Sequence, residues 1–388
     1  MPRAPSEESP PSTAPLIPNA HPRSLPNGES YISSWHNRHV PRSRRSTGAR
    51  LTVVRLEQRS AVTAMCAPAA GTFQIESQTE WNPTAHLNDA DGQRLLEEVE
   101  RQVRVTWNAN GAATPLALTL PGTLNGDTVI ESSSRLGIRT AVNVAATLGQ
   151  RLGVKTRVYH DVTCMAIGEW ASAPPLPTSS TEPAVLAYVF ADEGIGSRLL
   201  IDGRPYLGAG AAGILGRLVV QPDGTFYREL GSRGPLEVYA SRPWLSENLV
   251  ALYASEATKR GVPPPPGGTR TLFRRSLEVA RTTDWKSLEY AHIADGIARE
   301  DPIAIDVLDT AARYLGFAIN ALITFLHPHK LVLAGSMFTE LPGHASNTLD
   351  YARRFCWPLA WNSMTTEISQ TDRTHQVLGA CSLLALSS

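Results

Sequence analysis

The sequence predicts an α/β protein of two lobes behind a non-globular N-terminal tail. Length is the first reason: 388 residues suffice for two lobes with cores of their own. The second is the order of apolar runs from Leu51 to Tyr159, which reads strand, strand, strand, helix, strand, helix, strand and implies a mixed sheet. The third is a further series, opened by the strand Ala184 to Phe190, in which glycine-rich turns separate short apolar runs. Hydrophobic residues make up 42% and charged residues 19% of the chain, the balance of a soluble globular protein. Net charge is zero, so the chain as a whole has no general attraction for nucleic acid or membrane. No apolar run reaches the roughly 18 residues of a spanning helix. The N-terminus lacks the apolar core of a secretory signal, and a cytoplasmic protein is expected.

Residues 1–50 are rich in Pro, Ser, Asn and Arg and too poor in apolar residues for a core, which predicts a disordered tail. Arg38, Arg42, Arg44, Arg45 and Arg50 form a basic cluster at its end. The cluster reads either as a solvated tail or as an arm able to touch nucleic-acid phosphates. A first lobe is expected over 51–172. Leu51–Val54, Val62–Ala64 and Phe73–Ile75 are its opening strands. Leu95, Leu96, Val99 and Val103 mark one face of a helix over Asp91–Thr106. Pro115–Leu120 is a buried strand turned by Pro121-Gly122. Val142–Leu152 is amphipathic with Gly153 at its C-cap, and Val154–Tyr159 is a strand leading into Asp161. The proline-rich Ala173–Pro183 predicts a loop, and a second lobe follows over 184–388. Within it, Gly261–Gly268 predicts an exposed loop, and Asp301-Pro302 starts a helix running to about Leu326. Leu331–Leu333 is a buried strand ending at Ala334-Gly335, and an apolar helix over Gln376–Leu386 closes the chain. Cys66, Cys164, Cys356 and Cys381 are scattered, as buried reduced thiols are.

The stretch Gly194-Ile195-Gly196, Asp202-Gly203, Gly208 to Gly213 and Gly231-Ser-Arg-Gly234-Pro-Leu-Glu237 resembles the ROK family of repressors and sugar kinases. Pro121-Gly122, Asp161, His327-Pro328 and Leu378-Gly379-Ala380 fall in the family order. The resemblance covers roughly 51–388 and implies the two-lobed actin-like ATPase fold, a small carbohydrate ligand and a homodimer.

Several site residues follow from it. His160-Asp161-Val162-Thr163 looks like the family's Asn-Asp-Ala-Asn, which places Asp161 at the catalytic base that accepts a sugar hydroxyl proton; Asp161 reads equally as a helix N-cap. His160 and Thr163 stand where the family has sugar-binding asparagines. The first phosphate loop, Asp-x-Gly-Gly-Thr in the family, is Arg55-Leu56-Glu57-Gln58-Arg59-Ser60 here, and its bulky side chains should fill the phosphate space. The second is Asp192-Glu193-Gly194-Ile195-Gly196. Gly194 and Gly196 keep half of its nucleotide-binding turn, while two carboxylates stand where a polyanion would sit. The family's Gly-Glu-Ile-Gly-His is Gly213-Ile214-Leu215-Gly216-Arg217, leaving Arg217 in place of a histidine that contacts sugar and zinc. The zinc-binding segment is Arg228 to Pro235 without a cysteine, so no zinc is expected. Glu237 matches a sugar-binding glutamate or is an acid at a helix N-terminus. Gly335 matches an adenosine contact or closes a strand.

Two functions compete. The losses at the phosphate loops predict weak or absent binding of ATP and Mg, and a degraded member acting as a regulator or carbohydrate-sensing scaffold. The alternative is an active ATP-dependent kinase of a sugar or cyclitol using Asp161. The tail is shorter than the helix-turn-helix of the family's repressors and lacks helical periodicity. Nucleic acid would therefore be met only through the basic arm.

Overall fold

Leu51–Leu56 (β1) is buried on both faces, and that burial explains its nearly unbroken apolar text. In the computed structural model, which describes residues 49–69, 72–173, 176, 183–228, 231–260, 270–282, 288–370 and 373–387, β1 stands at the centre of a five-stranded sheet. Ala61–Ala69 (β2) pairs with it antiparallel and Thr72–Trp81 (β3) pairs with β2. Leu116–Leu120 (β4) pairs with β1 in parallel on its other side. The helix Gln93–Asn110 (α1) buries Leu95, Leu96, Val99 and Val103 against the sheet and ends at Gly111 in the left-handed region. After β4 a small sheet of Thr123–Asn125 (β5), Val129–Ser132 (β6) and Val142–Asn143 (β7) forms, which the sequence did not announce. Val144–Leu152 (α2) follows with Gly153 at its C-cap, then Thr156–His160 (β8), the parallel neighbour of β4.

Asp161–Ser172 (α3) leads out of the first sheet. Val185–Ala191 (β9), Ile195–Ile201 (β10) and Arg204–Pro205 (β11) begin a second one. Phe226–Tyr227 (β12) and Ser232–Arg233 (β13) form a ribbon, followed by helices Glu237–Ala240 (α4), Arg242–Arg260 (α5), Arg270–Thr282 (α6) and Tyr290–Ala298 (α7). The Asp301 carboxylate accepts the N–H groups of Ile303 and Ala304, at 2.9 and 3.2 Å, and Pro302 opens Pro302–Leu326 (α8) as expected. Lys330–Ala334 (β14) pairs in parallel with β9 and with Thr365–Ile368 (β15). Between these strands lie Ser336–Glu340 (α9), His344–Phe355 (α10) and Pro358–Asn362 (α11), and Thr374–Leu386 (α12) ends the described chain.

Among the described residues the sheet orders are β3-β2-β1-β4-β8 and β11-β10-β9-β14-β15. Strand alternation gives each sheet two apolar faces. Val54 and Leu118 face α1 and α2, whereas Val53 and Ala117 face α3 and α12. In the second sheet Leu331 and Leu333 face α8, while Leu186, Tyr188 and Val332 share the cluster of α3 and α12. These two helices are thus the layer between the sheets. They approach closely through glycine: a Cβ at Gly168 would meet the backbone of His375, and one at Gly379 the backbone of Cys164. Although α12 follows the second sheet in sequence, it is tied to the first, with Gln376 Nε2 donating to Thr119 Oγ1 at 3.1 Å and Lys155 donating to the Ser387 carbonyl.

Other expectations meet the structure directly. All four cysteines are free and buried. Arg50 is paired with Glu76 at 2.8 Å and donates to the Asn110 carbonyl, so it belongs to the lobe surface. Arg38, Arg42, Arg44 and Arg45, most of Ala173–Pro183, and Gly261–Gly268 lie outside the described residues. No helix among the described residues is long and apolar enough to cross a membrane.

Candidate ligand cleft

Asp161 stands where β8 becomes α3, with 8% of its surface exposed. The N-cap position is not its own, because the extended residue before the helix is His160. Asp161 is the first helical residue, and its Oδ1 accepts the Val162 N–H at 2.7 Å. His160 Nδ1 lies 2.7 Å from the same oxygen. It is 3.3 Å from the Val162 nitrogen; the shorter contact, to a carboxylate, assigns the proton to Nδ1. Burial, the largest single influence, favours the neutral acid. The charge and hydrogen bond of His160, the Arg135 charge and the Val162 N–H together outweigh it and hold Asp161 at about 2. Thr163 is turned from the cleft toward β10, where its hydroxyl accepts Arg198 Nε at 2.7 Å.

The β1–β2 turn is occupied as its bulky residues predict. Arg55 is 3% exposed, and its Nη1 meets Glu57 Oε1 at 2.5 Å while Nη2 donates to Ser60 Oγ at 3.2 Å. Arg373, ahead of α12, reaches the other oxygen of Glu57 at 3.0 Å. Burial pushes Glu57 up and Arg55 down, and their mutual attraction opposes both shifts. A phosphate cradle needs bare backbone amides; here a buried guanidinium and its carboxylate take that place. A pocket of about 360 Å³ opens beside this turn, lined by Gln58, Arg59, Asn82, Thr84, Leu87 and Asn88, none of them a cleft residue named above.

The β9–β10 turn keeps its glycines, but its acids do not face a ligand as expected. Asp192 is drawn inward, where Tyr290 donates its hydroxyl at 2.6 Å. Burial raises its pKa despite Tyr290 and Arg242. Glu193 lies 3.7 Å from Arg242, whose guanidinium stacks over the Tyr290 ring. The repulsion anticipated for a polyanion is therefore largely absorbed within the protein.

Gly194 has a different neighbour. A Cβ there would run into Arg135 Nη2 and lie 2.8 Å from Glu237 Oε1. Arg135 comes from the loop between β6 and β7, in the other lobe, so Gly194 is the bare surface on which this guanidinium rests. Glu237 Oε2 would lie 3.2 Å from a Cβ at Gly216, and the half-buried Glu237 opens α4. Glu237 is an acid at a helix N-terminus that also lies beside Gly194 and Gly216. Gly196 packs against α3, with Val162 Cγ2 3.0 Å from the place of a Cβ.

Gly335 closes β14 at φ +106°, a backbone that disfavours other residues, and a Cβ there would meet the Ala191 carbonyl beside the second turn. Arg217 and Arg228 are exposed. Among the described residues no three His, Cys, Asp or Glu side chains converge as for a metal ion. The structure thus brings Asp161, His160, Gly194, Gly196 and Glu237 near one another, where β8 and the β9–β10 turn meet, and leaves Arg217 exposed. Sequence reasoning missed Arg135, Arg198, Tyr290 and Arg373. The one available signal was Arg55, a charge inside an apolar strand.

These features define a two-lobed α/β protein of the actin-like, sugar-kinase class. The ROK family profile matches residues 66–384, and the chain belongs to the ROK family. It is 29% identical over 266 residues to transcriptional regulators of Mycobacterium tuberculosis and Mycobacterium bovis, covering 67% of this chain and 50% of each of theirs. The chain therefore spans about half the length of the curated relatives it matches. Among solved structures it is similar to a ROK family transcriptional regulator described as a homolog of the Escherichia coli MLC protein (22% identity, TM-score 0.68, 88% of this chain and 79% of that one). It is also similar to the ROK hexokinase of Thermus thermophilus (19%, TM-score 0.65, 87% and 98%). A third is a ROK family glucokinase of Streptomyces griseus in complex with glucose and AMPPNP (17%, TM-score 0.65, 86% and 98%). The chain thus resembles both regulators and sugar kinases of the family.

Proposed function

We propose that this protein is a carbohydrate-responsive regulator, a pseudokinase in which the ROK cleft is kept and the phosphotransfer machinery is not. Arg55 carries the proposal. Its buried guanidinium, held by Glu57 and Ser60, takes the turn that would have to cradle phosphate. ATP and Mg do not fit that turn as it stands. Arg217, Arg228 and Pro235 offer no ligand for zinc. Asp161 sits at the place of a general base, which supports the alternative of an active sugar or cyclitol kinase. A carboxylate at about 2, bridged to His160, is however a weak proton acceptor at neutral pH. The relatives that are transcriptional regulators support the regulatory reading. The homodimer implied by the family resemblance belongs to it as well; Phe325 and Trp357, 85% and 66% exposed, offer apolar surface on the second lobe.

The test is phosphotransfer from Mg-ATP to a panel of hexoses, aminosugars and cyclitols, read as sugar phosphate formed. The expected result is no product above the protein-free control. Multiple turnovers on any of these sugars would overturn the proposal in favour of the kinase.

A further inference from the structure

Arg135 is half-buried in the cleft, yet none of its N–H groups makes a hydrogen bond or an ion pair within 4 Å to a described residue. A guanidinium carries five donors in a fixed fork, and no nitrogen of Arg135 is among the fully buried, unpartnered atoms of the described residues, so its fork is open to solvent or to a ligand. The nearby acids have closer partners. Asp161 is held by His160 and the Val162 N–H, Asp192 by the Tyr290 hydroxyl, and Glu193 by Arg242. Glu237 shares the point over Gly194 with Arg135 without forming an ion pair with it. Of the other cations around the cleft, Arg198 is committed to Thr163 and the Ser197 carbonyl and Arg55 to Glu57, while Arg217 is exposed at the surface. Arg135 is therefore an uncommitted, half-buried planar fork lying on bare glycine backbone, beside two carboxylates suited to accept hydrogen bonds from hydroxyls.

From this arrangement we infer that the ligand is an acidic sugar, whose carboxylate or phosphate is gripped by Arg135 over Gly194 while its hydroxyls donate to Asp161 and Glu237. The inference rests on the carbohydrate reading above and narrows it. A guanidinium binds either anion through two parallel N–H···O bonds. A neutral sugar offers it only hydroxyl oxygens, which are weaker acceptors. Arg135 is then the specificity-determining residue of the cleft, and glycine at 194 is what lets it lie there.

The experiment is calorimetric titration of the full chain with matched sets in the gluco, galacto and manno configurations. Each set contains the neutral hexose, its uronate and its 6-phosphate, and inorganic phosphate is titrated alone. At least one acidic sugar should bind tenfold or more tighter than its neutral parent. Which acid it is separates the carboxylate source from the phosphate. In Arg135→Gln that preference should fall to within about twofold, the loss falling far more on the acidic sugar than on its neutral parent, and Arg135→Lys should retain part of it. Circular dichroism checks that both variants are folded. A neutral hexose binding as well as its acids, or an Arg135→Gln variant that keeps the preference, overturns the inference and leaves the carbohydrate reading standing. Inorganic phosphate binding as tightly as the sugar phosphate also overturns it, since the sugar would then contribute nothing. Failure of every sugar to bind removes the carbohydrate reading itself, and the inference with it.

Discussion

The two turns that hold phosphate in a kinase of this fold have changed in different ways. The β1–β2 turn has been rebuilt from within. Arg55 points into the protein, Glu57 answers it, and Arg373 arrives from the far end of the chain to complete the group. The β9–β10 turn has kept its backbone and only gained acids, which Tyr290 and Arg242 hold away from its glycines. A turn whose glycines survive can still receive a ligand at its surface. A turn filled by an ion pair cannot, unless the pair is dismantled. The first turn is therefore filled from within the protein, whereas the second keeps an open glycine surface.

The largest effect is expected where the first turn is broken. Arg55→Leu should destabilise the fold by about 3 kcal/mol, because removing one member of a buried pair strands the other. Arg373 keeps that figure at the lower end of the range by remaining on Glu57. Urea denaturation measures it, and the double change Arg55→Leu with Glu57→Leu should recover most of the loss. No change on either substitution would mean that the pair contributes nothing to the turn.

Asp161→Asn comes next. The carboxyl is held at about 2, below its ordinary 3.8, so its charged interactions add stability above pH 3.8 that disappears as pH falls toward 2. The variant should be about 2 kcal/mol less stable at neutral pH and should lack that acid limb. A variant with unchanged stability and an unchanged acid limb would remove the His160–Asp161 bridge from the account.

In the second turn Tyr290→Phe should cost about 1 kcal/mol, the usual net value of one hydrogen bond. The smallest effect is at Asp192, and its sign is opposite to that at Asp161. Burial raises this carboxyl, so the unfolded chain ionises first and the native state loses stability as pH rises through the folded value. Asp192→Asn should gain stability relative to the wild type as pH increases from 4 to 8, measured by thermal unfolding. A relative loss over that range would place the second turn in the same class as the first.

Much of the fold was legible because it depends on local apolar text. β4, β9 and β14 are short, largely buried and nearly all apolar, and Asp301-Pro302 marks the start of α8 directly. β15 was illegible because its Thr365, Thr366 and Glu367 are exposed at a sheet edge and carry no alternation. The pairing of α3 with α12 was also hidden. Ten of the twelve residues of α3 are buried, leaving no polar face for a helical period to reveal, and the close approach depends on Gly168 meeting Gly379's helix across the molecule. In the cleft, Asp161, Gly194, Gly196 and Glu237 were legible through resemblance, and the structure brings them together. Arg135 was not. It sits in a polar loop with no periodic signal, and its importance comes only from the lobe opposite. The Asp192 and Glu193 carboxylates were misjudged for the same reason, since Tyr290 and Arg242 come close to them only after folding.

The central claim is that the first turn no longer accepts phosphate, and titration calorimetry with Mg-ATP addresses it most directly. No saturable heat is expected up to millimolar nucleotide, a dissociation constant above roughly 1 mM or less than about 4 kcal/mol of affinity, in the wild type and in Asp192→Asn alike. Micromolar affinity in the wild type would contradict it, because Arg55 would then have to leave a buried ion pair at little cost, and the protein would return to the kinases.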